Sequence, residues 1–189
     1  MSDLPKIILH ADESCLGNQF KGKERPGGAG GILEHWKGNH WERRDFWLSE
    51  GDTTNNRMAL RSAIEGLGLL NKPCQVRFVS DSQYLVMGMK EWVRGWKARG
   101  WKRKVGVPEN LELWKELDRV ASEHRVTWIW VRGHAGDPRN EYANHLATRA
   151  AKEQTSSGGT VESGFQKWLE EQREKRDLYL DFFEDAPPG

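Results

Sequence analysis

The chain has 189 residues, which is long enough for one domain with a hydrophobic core and a modest extension. Its 29 Lys and Arg residues nearly balance its 28 Asp and Glu residues, so the net charge of +1 gives no indication of a nucleic-acid partner. No apolar run is long enough to span a bilayer, and no signal peptide is visible. The two cysteines, Cys15 and Cys74, fit no zinc-binding pattern. We therefore expect free thiols, a cytoplasmic location and no membrane partner.

The first part of the chain predicts three strands and a helix. Segments rich in β-branched and apolar residues predict strands over 6–11, 27–36 and 40–48. Thr53 or Thr54 is predicted to cap a helix that runs to about Leu70, because apolar residues recur there at helical spacing. The three strands follow one another through polar turns, which predicts an antiparallel meander.

The second part alternates strands and helices. It predicts a strand over 75–80, a helix directly after it, a helix from Pro108 to about 124, a strand over 126–131 and a helix over 140–153. The order βββαβααβα indicates an α/β fold with a five-stranded mixed sheet flanked by helices.

We expect three regions along the chain. Residues 1–153 form the α/β domain, and the TSSGG stretch at 155–159 predicts a flexible linker over 154–161. Residues 162–189 form a C-terminal extension with a short amphipathic helix around Phe165, Trp168 and Leu169 and an acidic end. The extension either packs on the domain as an extra helix or presents its acidic end as an internal mimic of nucleic acid.

Two acids, Asp12 and Asp81, directly follow predicted strands. Ligands gather beyond the carboxyl ends of strands in open α/β sheets, and parallel neighbouring strands would bring these two carboxylates together. Hard cations such as Mg²⁺ prefer oxygen ligands of this kind. In the alternative interpretation, each acid only caps the turn or helix that follows it.

Several blocks of sequence around these acids form an ordered series. They are DESCLGN at 12–18, TTNNRM at 53–58, SDSQY at 80–84, WIWVRGHAG at 128–136 and NE at 140–141. The series resembles the bacterial, type 1 ribonuclease H family, whose corresponding motifs are DGSCLGN, TTNNRM, TDSQY, WEWVKGHAG and NERCDELA. The resemblance covers residues 6–153 in order and leaves the C-terminal extension unexplained.

The resemblance implies endonucleolytic hydrolysis of the RNA strand of RNA/DNA hybrids with up to two Mg²⁺ ions, or Mn²⁺ as an alternative. Four carboxylates normally hold the ions in this family, and Asp12 and Asp81 match two of them. The position of the third acid, in the helix after the TTNNRM block, holds Ala59, and the position of the fourth holds Asn144. Catalytic residues are therefore expected at Asp12, Asp81 and Asn144, with Ala59 where a Glu is expected.

The two replacements have different consequences. Asn144 keeps a carbonyl oxygen that can ligate a metal, whereas Ala59 has no ligand atom and is either an engineered inactivation or a degenerate site. Glu13 should point to the opposite side of its strand from Asp12, which leaves Glu141 as the one stand-in. We therefore expect impaired hydrolysis, and the alternative is a catalytically inactive module that binds RNA/DNA hybrids.

Residues near the acids are candidates for catalysis and substrate binding. The resemblance makes His134, in the GHAG loop, a proton shuttle or an aid to product release. It also implies that amide side chains bond to minor-groove edges and 2′-hydroxyls of the hybrid: Asn18, Asn55, Asn56 and Gln83. Asn55 and Asn56 equally suit capping of a helix start. Thr54 would hold a phosphate of the DNA strand at the helix N-terminus.

The segment 90–104 is the strongest cluster of positive charge, with seven Lys or Arg residues against the single acid Glu91. A basic run is usually a solvated face, but three tryptophans are interleaved here, and the resemblance implies a protruding basic handle that follows the DNA backbone. We expect substrate contacts in this handle at Trp92, Trp96, Lys97, Arg99 and Lys102. Some of the tryptophans should instead build the handle's own core. The basic stretch 19–26 adds a phosphate contact or is a tolerated surface insertion, and we expect a monomer.

Overall fold

A computed structural model describes residues 3–17 and 24–189 of the chain. Within these ranges one mixed sheet has the strand order β5-β4-β1-β2-β3-β6. The strands are β1 (Lys6–Cys15), β2 (Gly27–Trp36), β3 (Trp41–Glu50), β4 (Gln75–Ser80), β5 (Arg125–Trp130) and β6 (Val161–Glu162). β1, β2 and β3 form the antiparallel meander, whereas β4 runs parallel to both β1 and β5. The predicted α/β fold and mixed sheet are confirmed, with β6 as a short sixth strand that pairs antiparallel with β3.

The helices cover both faces of this sheet. They are α1 (Asn55–Gly68), α2 (Gln83–Met87), a π-helical turn (Gly88–Trp92), α3 (Val93–Ala98), α4 (Leu111–Ala121), α5 (Pro138–Glu153) and α6 (Phe165–Arg176). α1 and α4 share the main hydrophobic core with one face of the sheet, in which Leu9, Phe46, Phe78 and Trp114 are fully buried. α5 lies on the other face, against β1 and β2.

Glycines of β2 determine how closely α5 approaches the sheet. A Cβ atom added at Gly28 would clash with the backbone of Ala147, and one at Gly30 would lie 2.7 Å from the Cβ of Leu146. Because Gly has no side chain, the α5 backbone can lie directly on β2. This close packing sets the position of every side chain that α5 carries toward the end of β1.

Two predicted boundaries were wrong for identifiable reasons. β1 continues to Cys15 because β2 keeps pairing with it up to Gly27, although parallel pairing with β4 stops at His10 and Val79. The helix predicted from Pro108 begins only at Leu111, since Asn110 adopts a left-handed backbone conformation with φ of 55°.

The C-terminal extension packs on the sheet. Ser157, in the predicted linker, exchanges hydrogen bonds with the backbone of Trp47 on β3, with a distance of 2.9 Å from its N–H to the Trp47 oxygen. α6 fully buries Phe165 and Leu169 against Ile32 and its neighbours. The division of the chain into a domain over 1–153, a linker over 154–161 and an extension over 162–189 remains a prediction. In residues 3–17 and 24–189, no helix is both long and apolar enough to cross a membrane.

The end of the extension packs against the two arginines that pair with a buried acid of the core. Glu34 is fully buried and bonds to Arg43 at 2.7 Å and to Arg139 at 2.5 Å. The ring of Phe182, from the extension, lies 4.9 Å from the guanidinium of Arg139, and the Glu184 carbonyl accepts a hydrogen bond from Arg43. The Glu184 carboxylate also lies 2.9 Å from the guanidinium of Arg173, so this acid is engaged within its own chain, which favours packing over mimicry of nucleic acid.

Candidate active site

Three carboxylates meet at one edge of the sheet, where β4 ends. Oxygen atoms of Asp12, Glu13 and Asp81 all lie within 4.8 Å of one another. Asp12 lies two residues beyond the last β1 residue paired with β4, and Asp81 is the first residue after β4. The parallel pairing of β1 and β4 thus brings the two predicted acids together, as expected. We call these three residues the carboxylate cluster.

Glu13 points to the opposite face of β1 from Asp12, as predicted, but the expectation that this excludes it as a stand-in acid was wrong. Side chains alternate along β1, so Glu13 shares a face with Ala11, on the side of α1. However, β4 ends at Ser80 and no longer separates the two faces at this level, so the longer Glu13 side chain reaches the other two carboxylates. Its Oε2 atom is buried and has no hydrogen-bond partner among the residues that the structure describes. Burial, and then the charges of Asp12 and Asp81, raise the pKa of Glu13 well above its usual value.

Ala59 lies in the main core, on the face of the sheet that Glu13 also faces. Its side chain is fully buried on α1, within the same cluster of residues as Leu9 and Ala11 of β1. Position 59 therefore contributes no ligand atom, while Glu13 supplies a carboxylate from β1 on this same side. The two carboxylates that the sequence predicts here, Asp12 and Asp81, are thus joined by a third, Glu13.

Asn144 projects from α5 to the opposite side of the cluster, next to Asp12. Burial, followed by the charge of Asp81, raises the pKa of Asp12 to about 7. The backbone N–H of Glu13, 2.8 Å from Asp12 Oδ1, and the side chain of Asn144 oppose this rise. Closely spaced, buried carboxylates repel each other, and a bound cation relieves that repulsion. The donor set of three carboxylates and one amide therefore fits a divalent metal ion.

The GHAG loop lies against the carboxylate cluster. A Cβ atom added at Gly133 would lie 2.5 Å from Asp81 Oδ2, so the absence of a side chain lets the loop backbone touch this carboxylate. His134 adopts a left-handed φ of 53°, and its side chain is 73% exposed. Its Nδ1 lies 3.3 Å from Glu141 Oε1. Glu141, the expected stand-in ligand, is thus the partner of His134 and lies outside the carboxylate cluster.

A cleft of about 430 Å³ lies at the N-terminus of α1, and Cys15, Arg25, Thr53, Thr54 and Asn55 contribute to its lining. The Thr54 side chain caps the helix by accepting a hydrogen bond from the Arg57 N–H at 3.2 Å. The buried Thr53 hydroxyl has no partner within the described ranges. An arginine, an unsatisfied hydroxyl and a helix N-terminus are suited to an anion such as a phosphate. Asn18, and most of the basic stretch 19–26, lie outside the described residues.

The aromatic rings of Trp92 and Trp96, in the basic handle, pack against Trp114 of α4 in edge-on contacts. Trp96 is buried with its ring centroid 5.5 Å from that of Trp114, whereas Trp92 is 38% exposed. The Lys97 ammonium lies 2.9 Å from Asp118 Oδ2 and is therefore already paired. Of the five residues predicted to contact substrate, Trp96 is instead part of the main hydrophobic core. The exposed Arg99 and Lys102 are free to meet a phosphate backbone.

Comparisons with known proteins agree with this geometry. The family model for RNase H matches residues 5–152. The chain belongs to the ribonuclease H family. Ribonuclease H of Pseudomonas paraeruginosa is 43% identical over 155 residues, which cover 81% of this chain and 98% of the relative. Ribonuclease HI of Caulobacter vibrioides is 45% identical over 150 residues, which cover 79% of this chain and 95% of the relative.

Solved ribonuclease H structures are also similar. LC9-RNase H1, described as a type 1 RNase H with the type 2 active-site motif, is 50% identical with a TM-score of 0.83, and the match covers 89% of this chain and 82% of that one. The PFV RNase H domain is 18% identical with a TM-score of 0.68, covering 81% and 98% of the two chains, and it supports the fold alone.

Sequence reasoning missed Glu13 although a signal was present. The first block reads DESC where the ribonuclease H motif has DGSC, so an acid is gained at position 13 while one is lost at position 59. Each departure taken alone suggests a degenerate active site, but together they keep the number of carboxylates at these two positions constant. Trp130 and Gly133, which contact Asp81, also carried no functional prediction.

Proposed function

We propose that this chain is an active endonuclease that hydrolyses the RNA strand of RNA/DNA hybrids. The observation that carries the proposal is the carboxylate cluster, in which Glu13 makes up for the acid missing at position 59. Membership of the ribonuclease H family supports the reaction class and the hybrid as substrate.

Asp12, Glu13 and Asp81 would hold the metal, with the Asn144 carbonyl as a neutral ligand. All of these donors are oxygens, which favours Mg²⁺, with Mn²⁺ as an alternative. When bound, one or two such ions supply an activated water and stabilise the leaving 3′-oxygen of the cleaved phosphodiester. Glu13 Oε2, which is buried and has no hydrogen-bond partner within residues 3–17 and 24–189, is an atom that a bound cation would satisfy.

Other side chains would bind and orient the hybrid. The exposed Gln83, two residues after Asp81, and the exposed Asn55, at the start of α1, would bond to minor-groove edges and 2′-hydroxyls of the RNA. Arg25 and Thr54 would hold a phosphate of the DNA strand in the cleft at the α1 N-terminus. The exposed His134, whose Nδ1 lies 3.3 Å from Glu141 Oε1, can accept a proton and pass it to solvent.

A catalytically inactive hybrid-binding module is the second candidate, and the absence of an acid at Ala59 favours it. Glu13 argues against it, since nothing about binding a hybrid requires a third buried carboxylate. LC9-RNase H1 adds support for activity, because its description shows that a type 1 RNase H can carry a different active-site motif.

Cleavage of a labelled RNA/DNA hybrid in Mg²⁺ or Mn²⁺ tests the proposal, with double-stranded and single-stranded RNA as comparison substrates. We expect cleavage of the hybrid alone, and its loss in EDTA and in Asp81→Asn. Hybrid binding without cleavage in either metal would instead identify the inactive module.

We also propose a cytoplasmic monomer. Both cysteines are free thiols, which suits a reducing compartment, and Cys74 is buried. Light scattering of the purified protein should give the mass of one chain, 21.8 kDa. A mass of twice that value would contradict the monomer.

A further inference from the structure

Trp130 is a large aromatic residue held at the surface beside the carboxylate cluster. It is the last residue of β5 and pairs with Ser80, the last residue of β4. Its side chain is 44% exposed, and its indole N–H donates a hydrogen bond of 3.0 Å to the main-chain carbonyl of Asp81. No role in the proposed function has been assigned to this indole.

The carbonyl that Trp130 holds belongs to a turn without regular backbone pairing. The Ser80 carbonyl accepts a hydrogen bond of 3.0 Å from the N–H of Val131, the first residue after β5. The Ser82 hydroxyl caps α2 by accepting a hydrogen bond from the Leu85 N–H at 3.2 Å. The peptide between Asp81 and Ser82 belongs to neither element, and its N–H side is held by a bond of 3.1 Å from the Ser82 N–H to Ser80 Oγ. The indole N–H supplies an anchor on its carbonyl side.

Two residues of the neighbouring chain segment limit the movement of Asp81. The Gly133 backbone lies close to the Asp81 carboxylate, and the Trp130 indole donates a hydrogen bond to the Asp81 carbonyl. Constraint matters here because Asp12, Glu13 and Asp81 repel one another within 4.8 Å, and an unanchored turn would let Asp81 move away.

We propose that Trp130 is a positioning residue, whose indole N–H fixes the Asp81 turn and so preorganises the carboxylate cluster for its metal ion. The inference rests on the proposed metal site and adds to it a residue that touches neither metal nor substrate. Loss of one such hydrogen bond should weaken Mn²⁺ binding about five- to tenfold.

The test compares three full-length proteins by calorimetric titration with Mn²⁺: the wild type, Trp130→Phe and Trp128→Phe. Phe keeps an aromatic ring at position 130 but has no N–H donor. Trp128 is the matched control, because it lies on the same strand and packs against Phe78 with ring centroids 4.9 Å apart. Hybrid cleavage is measured in parallel at saturating Mn²⁺, to separate kcat from KM.

We expect Trp130→Phe to bind Mn²⁺ about five- to tenfold more weakly, with an unchanged KM for the hybrid. Trp128→Phe should lower the melting temperature and leave Mn²⁺ affinity unchanged. If Trp130→Phe is unstable, benzothienylalanine at this position keeps the bicyclic shape without the N–H and should give the same loss.

Three other outcomes would each contradict the inference, and each would point to a different reason. Equal Mn²⁺ affinity in the wild type and Trp130→Phe would show that the N–H does not position Asp81. A raised KM with unchanged Mn²⁺ affinity would make the exposed ring a substrate contact instead. A wild type that binds no Mn²⁺ would refute the proposed metal site itself, and this inference with it.

Discussion

Replacing Glu13 by Gln tests whether the relocated acid is a metal ligand. Gln has nearly the same shape as Glu and keeps one carbonyl oxygen, so the main change is the loss of a negative charge. Loss of this charge should stabilise the metal-free protein, because it relieves repulsion inside the carboxylate cluster. It should also lower the affinity for the metal ion, because it removes an attraction to that ion.

The spacing of the cluster sets the magnitude. Two unit charges 4.8 Å apart interact with about 3.5 kcal/mol at an effective dielectric constant of about 20. The raised pKa of Asp12, about 7, means that part of this repulsion is already relieved by protonation near neutral pH. A ligand carboxylate lies closer to a bound cation than to another carboxylate, but it must first lose its proton, so we expect a net loss of about the same size, about 3 kcal/mol, which corresponds to about a hundredfold weaker metal binding.

Two measurements check this prediction: Mn²⁺ titration by calorimetry and thermal unfolding in EDTA. Glu13→Gln should lose about two orders of magnitude in Mn²⁺ affinity and should melt at a higher temperature in EDTA. Glu65→Gln, the same chemical change on α1, should alter neither. Wild-type Mn²⁺ affinity in Glu13→Gln would refute the assignment of Glu13 as a ligand.

A double variant sharpens the test by moving the acid back to α1. Glu13→Gly with Ala59→Glu restores the family's motif at both positions, and removal of the Glu13 side chain makes room for the new one. We expect it to recover most of the Mn²⁺ affinity lost in Glu13→Gln. Ala59→Glu alone should lower stability in EDTA, because it adds a fourth charge to a buried cluster.

Three further predictions concern the surroundings of the site. Truncation after Glu153 removes two large, fully buried side chains of α6 and should destabilise the protein by at least about 3 kcal/mol without tightening hybrid binding; tighter binding with an unchanged melting temperature would favour mimicry. Replacing Arg99 and Lys102 by Ala should reduce the salt dependence of hybrid binding by about two units of slope, as measured by fluorescence anisotropy at several salt concentrations, and an unchanged slope would refute the handle assignment. The hydrogen bond from Arg173 lowers the pKa of Glu184 from 4.5, so this pair stabilises fully above that pH and is lost as pH falls through the lower, folded-state pKa; the melting temperatures of the wild type and Glu184→Gln should therefore converge in acid.

The fold was largely predictable because its main strands carry strong local signals. The strand predicted over 75–80 matches β4 in both bounds, and the meander and the parallel strands follow the predicted order. The errors lie where tertiary contacts decide the structure. β6 has only two residues and exists because β3 offers it an unpaired edge, and the start of α4 depends on the left-handed conformation of Asn110.

The site was predictable where it follows from topology. Asp12 and Asp81 had to meet, because parallel strands end at the same edge of the sheet. Glu13 was misjudged because the alternation rule was applied beyond the end of β4, where one neighbouring strand is missing. No rule from sequence alone gives the reach of a long side chain at such an edge.

The paired departures at positions 13 and 59 are themselves an argument about activity. Both positions face the same side of β1, so moving a carboxylate from α1 to β1 can keep its oxygens near Asp12 and Asp81. A chain that had lost catalysis would gain nothing from a buried Glu13, because burial and the two neighbouring carboxylates oppose its ionisation when no cation is bound. A glycine, as in the family motif, would avoid burying that carboxylate. The cluster is stable as a set of charges only when it binds a cation, and this favours a working metal site over a degenerate one.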